Sequence, residues 1–325
     1  MPMTMREWGE RGLLNWLRHT AEHGRDTALG IGDDCAMVRM PRDRHARLLA
    51  ASDAMVEGVH FRFDWSTPAE VGWKLAAVNI SDIAAMGGVP RWLTVSVALP
   101  AATPVTTVKA LFGGIRKCCR AYGVELVGGD VTGSRTGVFL DAAITGTIDA
   151  RRVVRRDGAG DGDMIVLLGE CGLSAYALDC LRRGTRLPAA LRRRHCAPRP
   201  LLREGQWCAR SGLVSAMTDL SDSLGEELDN LITAHGKRAL VELGALQDGR
   251  GPLAKLPERQ RLQYQFHGGE DYALLVTVPA KHWPKFRRAY PRRYARPRVV
   301  GVAGGGRGGL DLRLDNEPWR EAGRH

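Results

Sequence analysis

The sequence predicts a two-domain protein of mixed architecture, α/β grading into α+β. Three observations carry that expectation. At 325 residues the chain is too long for a single small core. Helical patterns alternate with short β-rich runs throughout, which argues against all-α and all-β folds. Between two of those runs lies "DARRVVRRDGAGDGD" (149–163), where Gly, Asp and Arg replace apolar residues. The domain boundary is placed there, giving an N-terminal domain over residues 1–149 and a C-terminal domain over 150–325.

In chain order, the first expected strand is "RLLAAS" (47–52). A helix follows over "STPAEVGWKLAAVNISDIAAMGG": Thr67 and Glu70 form a T-x-x-E capping box, Pro68 suits the first helical position, and Gly87, Gly88 and Pro90 stop it. Further strands are expected at "LTVSVAL" (93–99), "VELVGG" (124–129), "VFLDAAITGTI" (138–148), "MIVLLG" (164–169), "ALVEL" (239–243) and "YALLVTV" (272–278). The tail from residue 303 opens in glycine and reads as a loosely held arm. "NISDIA" (79–84) and "DLSDSL" (219–224) echo each other, one in each half.

A hydrophobic content of 44% with 26% charged residues is that of a globular chain. The net charge of +11 sits mainly in arginine clusters at 151–156, 191–195 and 286–298. Such charge fits an anionic substrate or a solvated arginine-rich surface; no nucleic-acid motif accompanies it, so no nucleic-acid partner is expected. No run reaches the roughly 18–20 apolar residues of a membrane span, and the first residues carry charges where a signal peptide needs an apolar stretch. A cytoplasmic protein is expected. The seven cysteines are odd in number and contain no CxxC, so they read as reduced and structural.

Residues Val71, Leu75, Val78, Asp82 and Met86 fall on one stripe of the expected helix, which places a carboxylate on its apolar face. An ionised carboxylate there costs several kcal/mol unless it is compensated. The partner is either a nearby cation such as Lys74 or Arg91, or a bound metal. Other acids share the context of small residues, glycines and element ends: Asp33 and Asp34 in "GIGDDCAMV", Asp53, Asp130 in "LVGGDVTG", Asp219 and Asp222 in "MTDLSDSL", and Glu270 and Asp271 in "HGGEDYALLVTV". Any one alone reads as a cap or turn residue. If they converge, oxygen-only ligands call for Mg²⁺ or a similar hard cation, the equipment for handling polyphosphate. There is no P-loop, no kinase HRD or DFG set, no HExxH and no GxSxG.

Together "GIGDDCAMV", "SDAMVEGVHFRFDW", "GWKLAAVNISDIAAMGGVP", "LVGGDVTG", "RRDGAGDGD", "AMTDLSDSLGEELDNL" and "GGEDYALLVTVP" resemble, in order, the thiamine-monophosphate kinase family. That family belongs to the superfamily named for aminoimidazole ribonucleotide synthetase. The resemblance runs from about residue 12 to residue 302. It implies a synthetase-like fold in which the N-terminal sheets of two subunits close a barrel across a homodimer interface, with the active-site cleft between the domains. The implied reaction is Mg²⁺-dependent transfer of the ATP γ-phosphoryl group to thiamine phosphate, giving thiamine diphosphate.

Position by position, Asp34, Asp53, Asp82, Asp130, Asp219 and Asp222, with Asp33 as neighbour and Ser52 through its hydroxyl, resemble the magnesium ligands. Gly129, Asp130, Arg156 and Ser221 resemble the ATP contacts, and His60 and Glu270 the substrate contacts. Three positions depart from the family. Ala51 replaces a hydroxyl, Ser223 replaces a glycine and is expected to tighten its turn, and the C-terminal aromatic is assigned to Trp319, whose flat face suits a cationic heterocycle. Two other functions fit parts of the pattern. One is another ATP-using member of the superfamily, such as a selenophosphate or aminoimidazole ribonucleotide synthetase; the other is a non-catalytic nucleotide-binding or nucleic-acid-binding protein.

Overall fold

The computed structural model describes residues 2–21, 24–31, 35–246, 251–306 and 308–319. Asp33 and Asp34 lie outside the described residues. The chain divides into two compact units: Met1–Ile83 with Gly88–Arg151 and Cys196–Pro198, and Ala84–Gly87 with Arg152–His195 and Arg199–His325.

The first unit opens with α1 (Met5–Thr20) and the short pair β1 (Thr27–Leu29) and β2 (Met37–Val38). Then come β3 (Ala46–Val56), α2 (Pro68–Ala85), β4 (Val89–Pro100), α3 (Val105–Tyr122), β5 (Glu125–Ser134) and β6 (Phe139–Asp149). A four-stranded sheet runs in the order β3-β6-β4-β5. Its β4–β5 pair is parallel, so the chain must cross over between them, and α3 makes that crossover.

The capping box that starts α2 is present: Glu70 Oε2 accepts from the amide and hydroxyl of Thr67, each over 2.8 Å. The helix ends where the glycines stop it, with the amides of Gly87 and Gly88 donating to the carbonyls of Ala84 and Ile83, each over 2.9 Å. Met86 therefore falls beyond the helix, and the stripe within it ends at Asp82. Gly72 and Gly114 let α2 and α3 cross closely. A Cβ on either would overlap a carbonyl oxygen of the other helix, that of Leu111 or Ala69.

Alternation along the strands separates the two faces of this sheet. Met55, Val95, Val97, Leu140, Ala142 and Ile144 are buried on one face. The other carries Ser52, Ala54, Thr94, Ser96, Asp130, Asp141 and Ala143, with Phe139 41% and Leu48 51% exposed.

The second unit contains β7 (Met164–Leu168), α4 (Leu173–Arg182), α5 (Ala189–Cys196), α6 (Leu202–Ser211), β8 (Ala216–Asp219), α7 (Leu224–Leu231) and β9 (Arg238–Glu242). After these come α8 (Glu258–His267), β10 (Leu274–Val278), α9 (Trp283–Ala289), β11 (Pro297–Gly304), β12 (Gly309–Leu314) and β13 (Glu317–Pro318). Cys196, the last residue of α5, is grouped with the first unit. The sheet order is β13-β12-β9-β11-β7-β10-β8, antiparallel except for the β12–β9 pair. Strand β10 is buried at every position, as its unbroken apolar run requires of a strand covered on both faces.

One expectation is corrected here. Residues 303–306 and 308–319 do not form a loose arm. Ala303 and Gly304 end β11, and "GLDLRL" pairs in parallel with β9, Leu310 opposite Ala239 and Leu312 opposite Val241. Its alternation was readable, but its partner strand lies far back in the chain. Strand β11 also escaped the sequence reading, because it begins with proline and carries a bulge between Val299 and Gly301.

Candidate active site

In the second unit the acids gather around the end of β8. Asp219, its last residue, is 1% exposed. Leu220, Ser221 and Asp222 turn the chain before Ser223 caps α7. Ser223 does not need to be glycine, since its backbone is extended (φ −68°, ψ 153°) and it forms a capping box with Glu226. Its hydroxyl accepts from the Glu226 amide over 3.2 Å and donates to the carboxylate over 2.7 Å.

Pairing between β8 and β10 continues past the strand ends into residues 270–273. Tyr272 donates its amide to Leu220 over 2.9 Å, and Glu270 donates to the Ser221 carbonyl over 2.8 Å. Glu270 and Tyr272 both adopt left-handed backbone, φ 62° and 50°. For non-glycine residues this conformation costs on the order of 1–3 kcal/mol, so the surrounding hydrogen bonds have to hold it. The structure thus brings Ser221, Asp222 and Glu270 together.

Glu270 Oε2 lies 3.2 Å from Nδ1 of His195, a histidine 2% exposed, and the same ring nitrogen is 3.1 Å from the Ser174 hydroxyl. Between Glu270 and Tyr272, Asp271 turns inward and caps α4, accepting the amides of Gly172 and, over 2.9 Å, Ser174. Burial pushes the Asp271 carboxyl up to about 7, against the opposing pull of those amides. His195 was missed in the sequence because it closes the arginine-rich "LRRRH", where it reads as part of a charge run.

Arg156 begins a 3₁₀ turn (Arg156–Gly158) and is exposed. Its Nε donates to the Thr218 hydroxyl over 3.1 Å, while its two terminal nitrogens make no hydrogen bond among the described residues. One edge of the guanidinium is tied down, and the pair of terminal donors is left facing solvent. That is a suitable fork for phosphate oxygens.

In the first unit, His60 sits in a tight turn after β3. Its Nδ1 accepts from the Val56 amide over 3.0 Å, so the neutral ring carries its proton on Nε2. Lys74, 2% exposed on α2, donates to the His60 carbonyl over 3.1 Å. Arg91, the other cation considered for Asp82, is held by Asp26 over 3.1 Å. Asp82 is half-buried on α2 between buried Ser81 and Ile83.

Sheet register fixes the remaining positions. Asp53 lies in the row Asp53, Ala142, Val95, Gly129, on the buried face. Asp130 lies in the next row, opposite Ser96, on the open face. Two strands separate β3 from β5, about 14 Å at ordinary strand spacing. Ser52 pairs with Ala143 and is exposed, and Ala51 pairs with Ile144. Gly129 has φ 152°, and a Cβ there would overlap the Val95 carbonyl. Among the described residues, no three His, Cys, Asp or Glu side chains gather tightly enough to hold a metal. The donors at the end of β8 are nevertheless all oxygen, which fits a hard cation and not zinc.

Trp319 donates its amide to Leu312 over 2.8 Å, and its ring lies 6.3 Å from that of Phe266. It belongs to the β12 side of the sheet, with four strands between β12 and β8.

The profile of the family described as "AIR synthase related protein, N-terminal domain" matches residues 32–148. The thiamine-monophosphate kinase of Salmonella typhimurium is 36% identical over 259 residues, 78% of this chain and 77% of that protein. Among solved structures, the thiamine-monophosphate kinase of Stenotrophomonas maltophilia superposes with a TM-score of 0.81 at 27% identity, covering 94% of this chain and 96% of that one. A structure described as AaThiL complexed with AMPPCP and TMP gives a TM-score of 0.73 at 27% identity, covering 98% and 97%.

Proposed function

Because the chain belongs to the thiamine-monophosphate kinase family, we infer that it transfers the terminal phosphoryl group of ATP to thiamine phosphate, giving thiamine diphosphate and ADP. The observation that carries this reading is identity of 36% spread over more than three quarters of both chains. The order of the matched motifs supports it.

The acceptor is an ionised phosphate oxygen, already a nucleophile, so no strong general base and no covalent enzyme intermediate are required. What the protein supplies is alignment of two polyanions and donors for their oxygens. Arg156, with its free fork, and Ser221 are assigned to the ATP phosphates, and Gly129 to close backbone approach. His60, donating from Nε2, and Glu270 are assigned to thiamine phosphate, and Trp319 to its ring.

Magnesium is assigned to Asp219 and Asp222 in the second unit. In the first unit Ser52, Asp53, Asp82 and Asp130, with Asp33 and Asp34 from the GIGDDC motif, are assigned to more than one ion, because Asp53 and Asp130 lie on opposite faces of the sheet. When bound, the ion supplies neutralisation of the phosphate charge. The open face of the four-stranded sheet, with Phe139 and Leu48 exposed, supports a homodimer through that face. None of the seven cysteines is in a disulfide and no described helix is long and apolar enough to cross a membrane; we place the protein in the cytoplasm.

The test is ADP release from Mg²⁺-ATP in a coupled assay, with thiamine phosphate and free thiamine as competing acceptors. Turnover with the phosphate alone is expected, and no ADP above background would overturn the assignment.

A further inference from the structure

Glu227 carries a carboxylate on α7 and is 1% exposed. The start of that helix does not require it, because Ser223 and Glu226 already make the capping box. Glu227 instead faces the hydroxyls on either side of Asp219. Thr218 donates to Oε2 over 2.9 Å and Ser221 to Oε1 over 3.5 Å.

Thr218, itself wholly buried, has one hydroxyl proton. The Arg156 Nε can only donate, and it donates to this oxygen over 3.1 Å. The hydroxyl proton therefore has to point elsewhere. The Glu227 carboxylate, a charged acceptor, outcompetes the Asp219 carbonyl, which is 3.4 Å away. The proton is fixed on Glu227, and a lone pair is fixed toward Arg156. Burial raises the Glu227 carboxyl, while the Thr218 bond and the Arg156 charge pull it down.

We propose that Glu227 is a positioning residue for ATP, aiming the Arg156 guanidinium through the Thr218 hydroxyl. The proposal rests on the reading of Arg156 as a phosphate contact. A buried carboxylate, two hydrogen bonds away from the guanidinium, thus sets the direction of an exposed fork whose terminal donors are free for a polyphosphate.

Four variants of the full chain test it: Thr218→Val, Thr218→Ser, Glu227→Gln and Arg156→Gln, each assayed for the KM of ATP, the KM of thiamine phosphate and kcat. Losing one hydrogen bond to a charged group corresponds to about tenfold. Thr218→Val and Glu227→Gln are each expected to raise the KM of ATP by about that factor, with the KM of thiamine phosphate within about twofold. Thr218→Ser, which keeps the hydroxyl, is expected to restore the ATP value, and the Thr218→Val/Glu227→Gln double variant to be no worse than the poorer single one.

If Arg156→Gln raises the KM of ATP but Thr218→Val does not, the relay is overturned and Arg156 stands. If Arg156→Gln leaves it unchanged, the phosphate assignment fails and the proposal with it. Equal losses for both substrates, tracking a fall in Tm, would mean a packing role and also overturn the proposal. Should Glu227→Gln fail to fold, the Thr218 pair decides the question.

Discussion

The amide of Glu270 donates to the carbonyl of Ser221 over 2.8 Å, tying the GGED loop to the turn that follows β8. Glu270 sits there in left-handed backbone, so the bond holds a conformation the residue would otherwise leave. Two motifs assigned to different substrates are in this way parts of one hydrogen-bonded framework. Replacing Glu270 by Gln keeps the amide bond and removes only the side-chain charge. The expected outcome is a KM for thiamine phosphate raised about tenfold with that for ATP little changed, read from initial rates.

Asp82→Asn should leave the fold intact, because the half-buried side chain keeps its shape and loses one charge. Mg²⁺-dependent turnover is expected to fall by about 100-fold or more. Circular dichroism and a magnesium titration of activity check both halves; full activity, or unfolding, would make Asp82 a structural partner.

Asp271 gives a pH signature. Its folded pKa is raised to about 7 from a reference of 3.8, so between those values the unfolded chain releases a proton that the folded chain keeps. Stability from this group therefore falls as pH rises from about 4 to 7 and is level above that. Melting curves of the wild type and Asp271→Asn at pH 5, 6, 7 and 8 check it: the wild type should lose ground to the variant up to pH 7 and then run parallel.

Ser223→Ala removes a capping box and should cost about 1 kcal/mol in urea unfolding. Ser223→Gly, which restores the family residue, should cost only a few tenths, since glycine is tolerated at this cap position. A negligible loss for Ser223→Ala would mean that the Ser223 hydroxyl's bonds with Glu226 contribute nothing.

Gly129→Ala places a Cβ onto the Val95 carbonyl and should destabilise the first unit by about 1–3 kcal/mol, or shift β5 locally. Thermal unfolding checks the cost. A neutral result would show that the β4–β5 pair is looser than its register implies.

Local rules made much of this chain readable. Thr67 and Glu70 announced the start of α2, Gly87 and Gly88 its end, and apolar runs announced most strands, because caps, turns and periodicity involve residues within a few positions of one another. The motif order also marked the acids, although Asp53, Asp82 and Asp130 lie inside β3, α2 and β5 and not at their ends, because those elements run on past the turn-like residues that seemed to close them. Elements whose partners lie far away were harder to see. Strand β12 looked like a tail because its pairing to β9 could not be inferred from "GLDLRL" alone.

By itself, then, the sequence determined the family, seven of the strands, the long helix α2 and the set of candidate acids. Only the tertiary structure decided which of them meet. It set Glu270 against Ser221, His195 against Glu270, and Glu227 against a threonine that holds Arg156 from 62 positions away. It also put Asp53 and Asp130 on opposite faces of one sheet, through a register that shifts every side chain if moved by one residue. The physical reason is that a charged group's role depends on what lies within about 3 Å of it. That neighbourhood is built by chain segments brought together when the apolar core is buried.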